Sequence, residues 1–484
     1  SDRKWLEDLD EHRRAFRQLD AHELALRIDD AKPKVLLTGS GGIEFTKIIP
    51  YKPIVDAALA EASHKPNAVV VLQRDFVKAE LTPGRDFDWN DLLEKASPAT
   101  WVEVEATDPL YILYTSGTTG KPKGIVRDNG GHAVALLASM KYVYDVHPGD
   151  VYWAASDVGW VVGHTYIVYA PLLHGCTTIL FEGKPVRTPD AGTFWRIIEE
   201  YGVKVLFTAP TAIRAIKKED PDGLLAAKYD LSSLKYLFLA GERCDVATLN
   251  WSENLLQKPV LDHWWQTESG YPMLANPAGV ELMPVKPGSA TKPFFGFDIQ
   301  VLNANCQPVA TGEEGAVTIR LPLPPGCLPT LWENDSRFVE SYLDPYPGYY
   351  FSGDGGYRDE DDYFFITGRM DDVINVSGHR LSTSDMEEVV AAHPAVAECA
   401  VVGVEDELRG QVPVGFVVLK GGAEISDEML QTELVQMVRN SVGALACFRQ
   451  AAVVNRLPKT RSGKILRKIM RHIADGKAFT PPST

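Results

Sequence analysis

Residues 203–210, VKVLFTAP, are followed by TAIRAIKKEDP (211–221) and then by LKYLFLAGE (234–242). The first and third are short apolar runs rich in β-formers, and the second has the spacing of a half-buried helix. The same alternation begins earlier, with DVYWAASD (150–157), TTILFEG (177–183) and the helical AGTFWRIIEEYG (191–202). Strands separated by helices at this interval form a parallel sheet covered on both faces, because a parallel connection must cross over the sheet. Ligands of such sheets sit where the strands end.

Working outward, PKVLLT (33–38) and AVVVLQ (68–73) extend the parallel pattern toward the N-terminus. Residues 285–345 contain VKPGSATKPFFGFDIQVLN and GEEGAVTIRLPLPPGCLPTLWEN, whose Pro, Gly and β-formers predict a small antiparallel sheet or barrel. From about Gly368 a compact α+β unit is expected. MEEVVAAHPAV (386–396) and DEMLQTELVQMVRNSVG (427–443) are helical in pattern, and ECAVVGVED (398–406) and VPVGFVVLK (412–420) are strand-like. A hinge is expected at GRMDD (368–372), dividing the chain into 1–369 and 370–484. The predicted fold class is α/β: a large N-terminal domain of several subdomains, with helix-layered parallel sheets and a small β-barrel-like part, and a small mobile α+β C-terminal domain.

With 484 residues, 45% of them hydrophobic and 24% charged, the chain has the composition of a multidomain globular protein and no run long enough to span a bilayer. Its net charge of −16 argues against general nucleic-acid binding, so an anionic ligand must be met by local clusters of Lys and Arg. The six cysteines are far apart, with no metal-ligand spacing, which points to a reducing compartment. The charged opening residues lack the apolar core of a secretory signal.

One such cluster is YTSGTTGKPKG (114–124), directly after the apolar YIL. Glycines let backbone N–H groups approach an anion, hydroxyls add donors, and Lys121 and Lys123 add charge, which together make a grip for phosphate. It is not the P-loop of many nucleotide hydrolases: Thr115 stands where that motif has its first glycine, and Pro122 follows Lys121.

This loop is followed in order by GER (241–243), DHWWQTESG (262–270), FSGDGGYRDEDDYFFITGRMDDVINVSGHR (351–380) and PKTRSGKILRK (458–468). Five ordered motifs resemble the adenylate-forming superfamily over nearly the whole chain, from about Asp20 to about Ala478. SDVGWVVGHTYIVYAPLL (156–173) and FTAPTAIRAIKKEDP (207–221) are most similar to the short-chain acyl-CoA synthetase branch, propionyl-CoA synthetases in particular. The resemblance implies a two-step ligation with ATP, Mg²⁺ and coenzyme A. A carboxylate resists nucleophiles until it has been activated, so it first attacks the α-phosphate of ATP. The acyl-AMP then passes its acyl group to the CoA thiol, releasing AMP.

By the resemblance, Thr115, Ser116, Gly117, Thr118, Thr119, Gly120 and Lys121 hold the β- and γ-phosphates as pyrophosphate departs. Glu268 is the Mg²⁺ ligand and Thr267 the hydroxyl beside the α-phosphate. Trp264 flanks adenine, with Gly241, Glu242 and Arg243 on its other side and Asp262, His263 and Gln266 completing the nucleotide segment. Some relatives have Pro where this chain has Arg243. Asp354 accepts hydrogen bonds from the ribose hydroxyls and Arg369 lies near ribose and phosphate. Asp371 matches the hinge. Asn375, Gly378 and Arg380 fall on the segment facing the site during thioester formation, where Gly378 leaves a tunnel for pantetheine. Arg439 aligns with an arginine near the CoA nucleotide. Lys464 matches the lysine that bridges carboxylate and α-phosphate in the first step, which makes it a target for a lysine acetyltransferase and deacetylase.

Trp265 is implied to close the acyl pocket, and Val161, Val162 and Ala240 to form its wall, Ala240 where acetyl-CoA synthetases carry Val. Propionate is therefore expected over acetate. His164 is expected to support pocket packing, since a carboxylate nucleophile needs no base. The family has a large segment before this region that these residues do not include, so an incomplete N-terminal subdomain is expected, without some of the family's CoA-contacting arginines. Two other readings are a non-catalytic nucleotide-binding paralogue and an adenylating enzyme with another acyl acceptor. The partners expected are small molecules, with neither nucleic acid nor membrane, in the cytoplasm or mitochondrial matrix.

Overall fold

The computed structural model describes residues 21–44, 46–115, 123–370, 372–376, 379–406, 408–459 and 465–477. The chain forms two compact units, one of residues 1–104, 114–124 and 480–484, the other of 105–113 and 125–479. The boundary expected at 369/370 lies inside the second unit.

In the first unit the PKVLLT and AVVVLQ runs pair in parallel as Val35–Gly39 and Ala68–Leu72, and Asp86–Asp88 adds a third strand. Their inner face packs on helix residues Ala21, Ala25 and Ile28 and on Val55, Ala58 and Leu59 of the Lys52–Glu61 helix. Asp86 is buried at the strand edge, and Lys52 and Arg85 neutralise it at 2.8 and 2.5 Å. A buried carboxylate needs such partners.

The second unit is built on the predicted parallel sheet, in the order Val260–Asp262, Tyr236–Leu239, Val205–Thr208, Val151–Ala154, Thr177–Thr178. Val205, Leu206, Leu237 and Leu239 are fully buried, as a sheet covered on both faces demands. Thr193–Tyr201 and Pro210–Glu219 are the helices expected between the strands. TTILFEG yields only the two-residue strand Thr177–Thr178, which stands at the edge of the sheet and pairs on one side only, with Val151–Ala154. The segment Gly163–Tyr169 is wound as a π-helix, a form that concentrates at functional sites. Gly163 is required there, because a Cβ would lie 2.3 Å from the Cα of Val158.

The antiparallel sheet expected within 285–345 is larger than that span. Ile299–Leu302 and Gly315–Arg320 are joined by Tyr349–Arg358 and Phe364–Arg369 in one four-stranded sheet. The glycines of FSGDGGY suggest a turn, yet they lie in a ten-residue strand with a register shift between Gly355 and Gly356. Glycine in a strand marks such irregularities. The C-terminal region has the expected α+β form. The antiparallel pair Val396–Asp406 and Gly410–Leu419 is flanked by Gln450–Val453 and by the Ile374–Val376/His379–Leu381 hairpin, with helices Thr383–Ala391, Asp427–Ser441 and Arg467–Ala474. Ser382 and Ser426 cap two of those helices through their hydroxyls. No helix of the described residues is long and apolar enough to cross a membrane.

Candidate active site

The site lies at the carboxyl ends of the central strands. Strand Val260–Asp262 runs out into WWQTESG, which turns back so that Trp264 bridges Leu274. The turn is closed by Gly270 N–H to the Gln266 carbonyl at 3.0 Å, and Gln266 N–H to Ser269 Oγ at 3.1 Å. Behind it stands Arg127, wholly buried, a residue the sequence reading did not select. Its Nη1 donates to the Glu268 carbonyl at 3.1 Å and the Ser269 carbonyl at 3.3 Å, and also to Gly326; its Nη2 donates to the Thr267 carbonyl. The planar fork of arginine suits this, offering several donors in fixed directions. Gly270 completes the fit: its φ is +76°, and a Cβ there would meet the guanidinium carbon at 2.6 Å.

Held in this way, the segment presents its side chains toward the antiparallel sheet. Asp354, buried on strand Tyr349–Arg358, accepts from Trp264 Nε1 at 3.1 Å and Gln266 Nε2 at 2.6 Å. Arg369 lies 3.6 Å from the other Asp354 oxygen and donates to the Ser352 carbonyl at 3.1 Å. Gly353 makes room for that guanidinium, since a Cβ would lie 2.6 Å from it. The SGDGG spacing is thus fixed by an arginine sixteen positions past Gly353, not by a free turn. Trp264, Gln266, Asp354 and Arg369 form one connected cluster.

Glu268 accepts from the Tyr342 hydroxyl at 2.7 Å, and Tyr342 stacks on Tyr350 at 5.4 Å and 10°, whose own hydroxyl donates to Gln266 Oε1 at 3.1 Å. Burial and the Glu268 charge push the Tyr342 phenol up, which keeps it a donor. A single braced carboxylate fits Mg²⁺, which takes one or two protein carboxylates and completes its shell with water and substrate phosphates. No group of three or more metal-binding side chains occurs among the described residues. Tyr342 and Tyr350 were also missed, and nothing in their local sequence marks them.

The other sequence-selected residues are placed as follows. Thr115 ends strand Pro109–Thr115 and is itself counted with the first unit, which takes residues 114–124. Ser116, Gly117, Thr118, Thr119, Gly120, Lys121, Asp371, Gly378 and Lys464 lie outside the described residues, as do the side chains of Asn375 and Arg380. Gly241 has φ +102° with open space around it. Glu242 is held by Thr211 and Arg214. Asp262 is buried; burial drives its pKa up to about 7 against the opposing backbone N–H of Cys244 at 3.2 Å. His263 is set in the core, with one ring nitrogen 2.9 Å from the Tyr144 hydroxyl and the other 2.6 Å from the Leu239 carbonyl, and burial lowers its pKa to about 4. Both nitrogens being used internally, it positions the strand end. The Arg243 guanidinium, set beside adenine by the sequence reading, lies 2.9 Å from Glu388 in the C-terminal region. Arg439 is exposed on the last turn of its helix.

Ala240, Val162 and Trp265 border one apolar core, with Ala240 buried and the other two partly so. Trp265 stands edge-on to Tyr166 at 5.4 Å and 85°. Val161 is half-buried on the turn before the π-helix. His164 hydrogen-bonds the Trp160 carbonyl at 3.0 Å and packs on Tyr111.

A layered α/β unit whose strand ends carry a buried aspartate, a braced glutamate and a clustered Trp/Gln pair is the architecture of an adenylate-forming ligase. Residues 15–324 match the AMP-binding enzyme family and residues 385–464 the AMP-binding enzyme C-terminal domain. The chain belongs to the AMP-binding enzyme family. It is 58% identical to an uncharacterized protein of Pseudomonas aeruginosa, covering 98% of this chain and 75% of that protein. It is 48% identical to human mitochondrial acyl-CoA synthetase short-chain family member 3 (98% and 69%), and 44% identical to the propionate–CoA ligase of Escherichia coli (96% and 75%). The acetoacetyl-CoA synthetase of Streptomyces lividans superposes with a TM-score of 0.80 at 26% identity, over 92% of this chain and 67% of that one. The fold is shared with an anthranilate CoA ligase solved with anthranoyl-AMP, at a TM-score of 0.79 and 23% identity over 94% and 80% of the two chains. The chain is an ATP-dependent short-chain acyl-CoA synthetase, an AMP-forming acid–thiol ligase using ATP, Mg²⁺ and CoA.

Proposed function

We propose that the acid this ligase prefers is propionate, and that its pocket excludes longer acids by volume. The observation that carries the reading is Trp265: its ring is braced edge-on by the fully buried Tyr166 and lies 6.2 Å from Phe207, so the wall it forms is backed by packed aromatic side chains. Interiors of this density do not yield to an extra methylene without cost. Ala240, where a larger side chain would shorten the cavity, leaves room for the propionate methyl. The 44% identity to a propionate–CoA ligase supports the same choice.

In this reading the 114–124 loop would hold the departing pyrophosphate, and Glu268 would hold the Mg²⁺ that shares its charge. Asp354 takes the ribose hydroxyls, with Trp264 and Gln266 fixing its carboxylate beforehand. Lys464 brings carboxylate and α-phosphate together, and its acetylation by a lysine acetyltransferase would remove the charge that does so. The C-terminal region then turns about Asp371 for thioester formation. The setting is the cytoplasm or the mitochondrial matrix; supporting it, all six cysteines are free thiols and the human relative is mitochondrial.

The test is a panel of straight-chain acids with Mg-ATP, read as pyrophosphate release and as acyl-CoA formed. One methylene in an apolar pocket is worth roughly 1–3 kcal/mol, so propionate should exceed acetate in kcat/KM by about ten- to two-hundredfold. Ala240→Val should move the preference toward acetate, and Trp265→Gly should admit longer acids. Equal use of acetate and propionate, or an Ala240→Val ratio equal to wild type, would sink the assignment of the pocket.

A further inference from the structure

Arg243 follows Gly241 and Glu242 after strand Tyr236–Leu239, yet its guanidinium reaches the Thr383–Ala391 helix. Nη2 is 2.9 Å from Glu388 Oε2 and Nη1 is 3.8 Å from Asp385 Oδ1. Gly288 leaves it space, since a Cβ there would come to 3.0 Å from Nη2. Asp262 and Tyr357 also face its charge, and Glu314 faces Asp385. The residue beside Glu388 makes a second anchor. Glu387 takes Arg467 Nη2 in both carboxylate oxygens at 3.0 and 2.8 Å, and accepts the Val401 N–H at 2.8 Å. Arg467 starts the last helix three residues after Lys464, and a bridge between Lys459 and Ile465 flanks the lysine segment. Lys459 is itself paired with Glu398 at 2.9 Å. One short helix is therefore tied through Glu388 and Asp385 to the loop after strand Tyr236–Leu239, and through Glu387 to the first residue of the Arg467–Ala474 helix.

We propose that Arg243 is a positioning residue that, with Glu388 and Asp385, latches the Thr383–Ala391 helix to the loop after strand Tyr236–Leu239, and so sets the balance between acyl-AMP formation and thioester formation. The inference rests on the reading that the C-terminal region turns between the two half-reactions. An ion pair that spans two regions exists in only one of their arrangements, so it weights that arrangement by its own free energy and must be broken for the other. With Arg243 23% and Glu388 37% exposed, the pair is partly solvated and its weight modest and screened by salt.

The test uses the full chain, with the two half-reactions assayed separately: pyrophosphate release from acid and Mg-ATP, and acyl-CoA formation from supplied acyl-AMP and CoA. The Asp385→Asn, Glu388→Gln double variant should change the ratio of the two rates by roughly three- to tenfold. Wild type at high salt should move toward the variant's ratio. The exchange of Arg243→Glu with Glu388→Arg should bring the ratio back toward wild type, which a merely structural role for either residue would not do. A ratio unmoved in the double variant, both rates falling in parallel, or an exchange that restores nothing would overturn the latch. A wild type that performs neither half-reaction would instead overturn the ligase reading, and the latch with it.

Discussion

Replacing Tyr342 by Phe separates the brace of Glu268 from the packing around it. The hydroxyl donates to a carboxylate oxygen at 2.7 Å, while the ring stacks on Tyr350 at 5.4 Å and fills space beside Phe338. The substitution deletes the hydrogen bond and keeps the stack. A hydrogen bond to a charged partner contributes about 1.5–3 kcal/mol. If all of that were felt where Glu268 meets Mg²⁺, kcat/KM for Mg-ATP would fall by roughly ten- to hundredfold. Glu268 can recruit water in place of the phenol, so the expected loss is at the lower end, about tenfold, with a higher Mg²⁺ concentration needed for half-maximal rate. Conversion of supplied acyl-AMP to acyl-CoA involves no pyrophosphate and should keep its wild-type rate. The assay is therefore a pair: pyrophosphate release titrated with Mg²⁺, and acyl-CoA formation from acyl-AMP. Equal losses in both, or an unchanged Mg²⁺ dependence, would show that Glu268 does not hold the metal or that Tyr342 does not hold Glu268.

Arg127→Met should destabilise the chain by about 3–5 kcal/mol, since it strips donors from the carbonyls of Thr267, Glu268, Ser269 and Gly326 in a buried site; denaturant unfolding reads this, and a loss under 1 kcal/mol would contradict the assigned role. Lys464→Ala should abolish acyl-AMP formation while sparing much of the conversion of supplied acyl-AMP, and acetylation of Lys464 should do the same; equal loss in both steps would refute the division of labour. Asp262 has its folded pKa raised to about 7 against an unfolded value near 3.9, so the folded state binds the extra proton between those values and stability falls as pH rises through that window. Asp262→Asn, which keeps an acceptor for the Cys244 N–H, should therefore gain melting temperature relative to wild type as pH goes from acid to neutral; a difference independent of pH would refute the shift.

Much of the site was legible because its chemistry sits in contiguous runs. DHWWQTESG and FSGDGG place Trp264, Gln266, Glu268 and Asp354 in recognisable settings, and the structure brings all four together around the strand ends. What escaped was the support. Arg127 belongs to an apolar strand run, Tyr342 to the end of a short helix, and neither has a neighbour in sequence that marks it. Arg243 was placed by position in GER, and its partner, 145 residues further on, could not be seen from there.

The sequence by itself determined the parallel sheet, its intervening helices and the C-terminal α+β unit, since burial on both faces and helical periodicity are written in windows of five to fifteen residues. It also led to the expectation that a ligand meets the sheet where its strands end. Only the tertiary structure decided that Gly353 to Gly356 run within a strand, that Asp354 is fixed by Trp264 and Gln266, that a buried guanidinium holds the backbone under Glu268, and that Arg243 faces Glu388. Each of these depends on hydrogen bonds or ion pairs between residues about 90 to 145 positions apart, or on a strand pairing with neighbours from elsewhere in the chain. Local propensity carries no information on which distant partner will satisfy a buried polar group; packing of the whole core does.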